Sequence, residues 1–131
     1  MLHHISLGVV DLVRAAAFYD AVFAPLGIVR VWSDIRPNES NQAVGYGVAG
    51  GGDRLALKQV DAVLPSAGFH LAFAAPNRQA VDAFYLAALK HGAQCNGAAG
   101  LRSHYGEQYY AAFVIDADGH RIEAVINSAP H

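Results

Sequence analysis

Two histidines and one glutamate carry the chemistry most legible in this chain. Seven of the 131 residues are His, in a sequence with only nine Lys and Arg and eleven Asp and Glu. His4 opens the run His4-Ile5-Ser6-Leu7-Gly8-Val9, and His70 opens His70-Leu71-Ala72-Phe73-Ala74. Glu123 sits in Arg121-Ile122-Glu123-Ala124-Val125-Ile126. All three runs alternate as strands do, with successive side chains on opposite faces. Ile5, Leu7 and Val9 form one packing set, Phe69, Leu71 and Phe73 a second, and Ile122, Ala124 and Ile126 a third. His4, His70 and Glu123 then fall on the other face, among Ser6, Gly8, Ala72 and Ala74. Small neighbours leave room around them. Two imidazoles and one carboxylate are the donor set of a facial triad, which leaves positions of a divalent ion open to substrate or water. Zn, Fe(II), Mn and Ni all suit such a set. Alone, each residue reads more plainly, as a half-buried strand histidine or a solvated glutamate. Their matched placement on one face favours ligation.

The elements that must position them come in two copies. Shifted by 66 residues, His4-Ile5-Ser6-Leu7 lies over His70-Leu71-Ala72-Phe73, Asp11 over Asn77, and Phe18-Tyr19 over Phe84-Tyr85. With one further insertion, Gly52-Asp53-Arg54-Leu55 lies over Gly119-His120-Arg121-Ile122 and Tyr46 over Phe113. Repeats of this kind define the fold before any local reading. The first copy reads as a strand over Leu2–Val9, then a helix capped by Asp11 running to about Ala24 and stopped by Pro25 and Gly27. Strands follow near Ile28–Ser33, Ala43–Val48 and Arg54–Val60. In the second copy Gly68–Ala74 is a strand, and Asn77 opens a helix to Lys90. Ala93–Asn96, Tyr109–Asp116 and His120–Ile126 are strands. The fold class is α+β. Two βαβββ modules in tandem, about 1–65 and 66–131, form one domain with a concave mixed sheet around a cleft.

Composition limits the function. Hydrophobic residues make up 53% and charged residues 15%, with a net charge of -2. The chain is too apolar for dominant disorder. It has no basic footprint for nucleic acid or an anionic membrane. The single Cys95 excludes an internal disulfide and a cysteine zinc cluster. No apolar run reaches transmembrane length and the first residues do not read as a secretory signal, so the expectation is a cytoplasmic protein. The low charge predicts a homodimer that covers apolar surface.

The segment Asn96–Gln108 reads as one long loop, a length common in functional loops. Its Arg102 could hold an acidic substrate by a bidentate contact, and His104 could move a proton. A polar surface loop with aromatic anchors is the plainer reading. Other histidines have structural readings. His3 and His120 are expected to be exposed, His91 ends a helix, and His131 is at the frayed end.

These residues resemble a known family. His4, Gly8-Val9-Val10-Asp11-Leu12, Ala17-Phe18-Tyr19 and Pro25-Leu26-Gly27 look like the opening of a glyoxalase/bleomycin-resistance/dioxygenase protein, a vicinal oxygen chelate superfamily member. The closing Asp116-Ala117-Asp118-Gly119-His120-Arg121-Ile122-Glu123 is similar to that family's D-x-D-G-x-x-I-E ending. The resemblance implies paired βαβββ modules around a metal, with ligands from the first and last strands of both. Ala56 stands where Glu123 stands in the second module and cannot ligate. The implied set is therefore His4, His70 and Glu123 rather than four ligands. It further implies a small substrate that chelates the metal through neighbouring oxygens, in lyase, isomerase or dioxygenase chemistry. His104 and Tyr105 are the candidate proton-handling groups, and Arg102, Tyr110 and Arg121 the substrate contacts. The alternative within the family is a metal-free protein that sequesters a drug.

Overall fold

The computed structural model describes residues 1–129, so the expectation for His131 lies outside the described residues. Strand β1 spans Ile5–Val9, helix α1 Leu12–Phe23, β2 Val29–Asp34, β3 Ala43–Gly47 and β4 Leu55–Gln59. The second copy follows with β5 Leu71–Ala74, α2 Arg78–Lys90, β6 Gln94–Leu101, β7 Tyr109–Ile115 and β8 Arg121–Asn127. The tandem βαβββ reading is borne out. The strands form two four-stranded mixed sheets of the same order, β1-β4-β3-β2 and β5-β8-β7-β6.

The helices start where the side chains require it. Asp11 and Asn77, 66 positions apart, each accept the backbone N–H three residues on, from Arg14 and Ala80. Helix α1 ends in a single 3-10 turn at Ala24–Leu26, and Gly27 closes it in the left-handed region at φ 76°. The repeat also extends to the sheet register. Ser6 pairs with Ala56 across β1–β4, and Ala72 pairs with Glu123 across β5–β8. Ala56 therefore occupies the counterpart of Glu123, as the alignment predicts.

Helix α1 packs on β2, β3 and β4, α2 on β6, β7 and β8, and the two helices pack on each other. One core joins the modules, with Phe18, Tyr19 and Phe23 of α1, Val81 and Phe84 of α2, and Leu7, Leu57, Val114 and Ile122 of the sheets. Phe18 and Phe84, equivalent in the repeat, are both buried there. Each sheet thus turns one face to the helices, and among the described residues no element covers the opposite face. None of the helices among the described residues is long and apolar enough to cross a membrane.

The closing Asp-x-Asp-Gly-His turn fastens the modules together. Tyr19 of α1 donates its hydroxyl to the buried Asp116 carboxylate at 2.5 Å, and the backbone N–H groups of Asp118 and His120 donate to the other oxygen. Asp118 accepts the N–H of Val10, and the His120 ring meets the carbonyl of Gly8 at 2.7 Å. His120 is half-buried in this contact, which corrects its expected exposure. Gly119 makes the turn at φ 88°.

Burial, then the neighbouring Asp116 carboxylate, pushes the Tyr19 phenol well above its ordinary value of 10.0. The folded chain therefore keeps a proton that the unfolded chain releases. Stability held below pH 10 is lost as the pH rises past it. Asp116 is also raised, chiefly by burial, so stability falls as pH climbs from 3.8 through its folded value. Replacing Tyr19 with Phe is expected to cost about 1–3 kcal/mol at neutral pH, because a buried carboxylate loses a donor. The same variant should flatten the loss of stability above pH 10, as read by urea titrations at several pH values.

Candidate metal centre

The centre builds outward from Glu123. Its residue is only 1% exposed, an unusual place for a carboxylate. Its position follows from the register of β8, where Glu123 pairs with Ala72 on one side and Phe113 on the other. Ile122 and Ala124 point to the helices and are buried in the core, so Glu123 faces the uncovered side of the sheet.

Both carboxylate oxygens have partners. Oε1 lies 3.2 Å from His70 Nε2. Oε2 accepts the hydroxyl of Tyr109. The Tyr109 phenol is pushed up to about 12, first by burial and then by its bond to Glu123, so it stays a donor at neutral pH. His70 immediately precedes β5, and its side chain is 55% exposed. Ala72 and Ala74, on its side of the strand, are exposed and small. The approach to His70 is open, while Glu123 lies covered beneath it.

His4 occupies the same place in the first module, one residue before β1. It is exposed, and its ring nitrogen lies 2.9 Å from that of His3. Among the described residues no group of three His, Cys, Asp or Glu side chains converges within one chain. His70 and Glu123 therefore come together, while His4, exposed just before β1 in the other sheet, joins no such group.

The remaining candidates divide by strand parity. Arg121 shares the face of Glu123, two residues away on β8, and donates to the Ala67 carbonyl. The Arg102 guanidinium lies over the Phe113 ring, 5.3 Å from its centroid. His104 and Tyr105 stack at 4.1 Å between ring centroids, and Tyr105 meets Tyr109 at 5.2 Å. A chain of rings thus leads from His104 to the donor on Glu123. Tyr110 is directed elsewhere. It donates to Asp82 of α2 at 2.6 Å and carries the Arg78 guanidinium over its ring, on the helix side of the sheet. Its hydroxyl makes a helix-to-sheet bond and does not share the face of Glu123, because adjacent strand residues face opposite ways. Tyr109, next to it, is the functional tyrosine of this face: alternation counted back from Phe113, the partner of Glu123, picks it out.

The long-loop reading also needs correction. Asn96–Leu101 belongs to β6, and only the residues after Leu101 form the connection to β7. Strand β6 pairs with β7 through two register shifts, between Cys95 and Gly97 and between Gly97 and Gly100. Gly97 takes φ 146°, and a Cβ there would lie 3.1 Å from both Phe113 and Arg102. The glycine lets Phe113 and its stacked guanidinium lie close against the bulged strand.

The imidazole and carboxylate of this pair have the donor types and spacing of two ligands to one divalent ion. At bond lengths near 2.1 Å, two adjacent ligands of one ion stand about 3.0–3.4 Å apart in octahedral or tetrahedral geometry. The observed 3.2 Å falls in that interval. The second Glu123 oxygen is held by Tyr109, the kind of outer support that orients metal-binding carboxylates.

Comparison with known proteins agrees with this architecture. The family described as Glyoxalase/Bleomycin resistance protein/Dioxygenase superfamily matches residues 1–124. The chain belongs to that superfamily. It is similar to a glyoxalase/bleomycin resistance protein from Albidiferax ferrireducens, at 27% identity and a TM-score of 0.75, over 95% of this chain and 97% of that one. A glyoxalase-related enzyme from Fulvimarina pelagi aligns at 24% identity and a TM-score of 0.68, over 95% and 86%. A mutant of the fosfomycin resistance protein FosX from Listeria monocytogenes, complexed with Mn(II) and dihydroxypropylphosphonic acid, aligns at 19% identity and 0.73, over 98% and 92%. The last two likenesses show the fold. No curated protein matches the chain.

Proposed function

We propose that this protein is a divalent-metal-dependent enzyme acting on a small molecule that offers two neighbouring oxygens, and that it works as a homodimer. The observation that carries the reading is the buried Glu123 carboxylate with His70 Nε2 at 3.2 Å, on a sheet face that no element covers. His70 and Glu123 supply two ligands, and His4 of a second copy supplies the third. Each chain presents His4 on one uncovered face and His70 with Glu123 on the other, so two chains related by a twofold axis would form two identical sites. The FosX structure complexed with Mn(II) supports a divalent ion in a protein of this fold.

A divalent ion held there supplies Lewis-acid stabilisation of an oxyanion. The protein's own groups do the rest. Tyr109 fixes the Glu123 carboxylate by its hydroxyl. Arg102 and Arg121 offer positive charge on the same side of the sheet. Tyr105 and His104, stacked outward from Tyr109, are placed to accept or return a proton. A drug-sequestering protein without metal is the competing reading. It has no use for a carboxylate buried between an imidazole and a phenol.

The test is metal content and calorimetric titration with Mn(II), Fe(II), Ni(II) and Zn(II), on protein purified without chelator or histidine tag. Stoichiometric uptake of at least one ion is expected, and a chain that takes up none contradicts the reading. Sedimentation equilibrium should give a dimer, with an interface on the order of 1,200–2,000 Å² in total. Replacing Tyr109 with Phe leaves both metal ligands in place but frees Glu123 Oε2. It is expected to weaken metal affinity by about 10–100-fold in the same titration.

A further inference from the structure

The uncovered face of the second sheet does more than hold His70 and Glu123. Beside them opens a cavity of about 210 Å³. Phe69, Tyr105 and Phe113 supply aromatic walls, Asn96 and Arg121 the polar groups, and His70 stands at its edge. Among the described residues no Asp or Glu lines it. Phe69 was expected to pack in the core, yet it precedes β5 and is 43% exposed, which places its ring here instead.

We propose that this cavity is the substrate subsite and that it takes a small aromatic carboxylate. The inference rests on the metal-centre reading for its role in catalysis, though not for the binding itself. Size sets the first limit. A cavity of about 150 Å³ accepts benzene, so 210 Å³ takes a single ring with a small substituent and little more. The walls set the second. Three aromatic side chains around one space favour a ring by edge and face contacts beyond simple burial. Charge sets the third. Arg121 carries five N–H donors and gives one to the Ala67 carbonyl, so its fork keeps donors for a planar carboxylate. The Arg102 guanidinium, stacked on Phe113, adds positive charge nearby. With no carboxylate in the lining to repel it, an anion meets a favourable field. His70 at the cavity edge puts the far side of the bound ring next to the His70–Glu123 pair.

The experiment is isothermal titration of the whole protein with benzoate, acetate and benzyl alcohol, first stripped with chelator and then loaded with Mn(II). Benzoate is expected to bind saturably in both states. Acetate, lacking the ring, and benzyl alcohol, lacking the charge, are each expected to bind at least about tenfold more weakly. Arg121→Gln and Tyr105→Ala should each weaken benzoate by about tenfold. Arg121 also holds the turn at Ala67, so Tyr105→Ala serves as the variant that leaves the fold alone, since its side chain is exposed. Equal binding of benzoate and either control overturns the proposal, as does benzoate binding that neither variant weakens. Mn(II) uptake without benzoate binding overturns this subsite alone. Benzoate binding without Mn(II) uptake supports the subsite and overturns the metal centre.

Discussion

His70→Ala is expected to abolish divalent-metal uptake while leaving the chain folded. The imidazole lies outside β5, 55% exposed, so its removal opens no cavity, and the cost is about 1 kcal/mol for the partner lost to the buried Glu123 carboxylate. Metal binding is another matter. With His70 gone, the proposed site keeps only Glu123, held by the Tyr109 hydroxyl, and His4 of the second copy, and two ligands do not hold an ion firmly against water. Glu123→Gln makes the complementary point. It preserves shape and one acceptor while removing the charge, and metal affinity should fall with it. Calorimetry reads the affinities, and thermal melts read the fold. A His70→Ala chain that binds Mn(II) as tightly as the original would remove His70 from the ligand set.

Phe84→Ala is expected to cost roughly 3–5 kcal/mol of folding stability, the usual range for truncating a fully buried phenylalanine. Phe84 is 0% exposed and packs where the two helices and both sheets share one core. A domain of this size has roughly 5–15 kcal/mol in all, so the variant sits near the edge of folding. Phe18→Ala, its counterpart in the repeat, should be costly as well, and somewhat less so because Phe18 keeps 7% exposure. Urea titration with an unchanged slope measures both. Losses below about 1 kcal/mol would mean that the helices do not carry the joint between modules.

Much of this architecture is legible in the residues, and for identifiable reasons. Asp11 and Asn77 announce the helix starts because capping is local, set by one side chain and the N–H three residues on. Glu123 can be assigned to the uncovered face because β8 alternates without interruption. The full length of β6 is hidden in the sequence because Asn96-Gly97-Ala98-Ala99-Gly100 has no apolar alternation and its bulges break the period of two. Tyr109 and Tyr110 look alike in sequence until the register with β8 is known. The separation of His4 from His70 and Glu123 lay beyond reach. Alternation says which face a side chain takes, but not whether two sheets turn those faces toward each other. That depends on how the two modules pack, through contacts distant in sequence.

Subunit mixing tests the central claim most directly. His4→Ala and His70→Ala should each fail to take up Mn(II) as pure proteins. After unfolding and refolding together in equal amounts, half the dimers pair one chain of each kind. Such a dimer has one complete site, with His4 from the His70→Ala chain and His70 and Glu123 from the His4→Ala chain. The mixture should therefore recover about a quarter of the wild-type metal content. Recovery near that level is the result expected of a site shared between two chains. Uptake that stays at the level of the separate variants would contradict it.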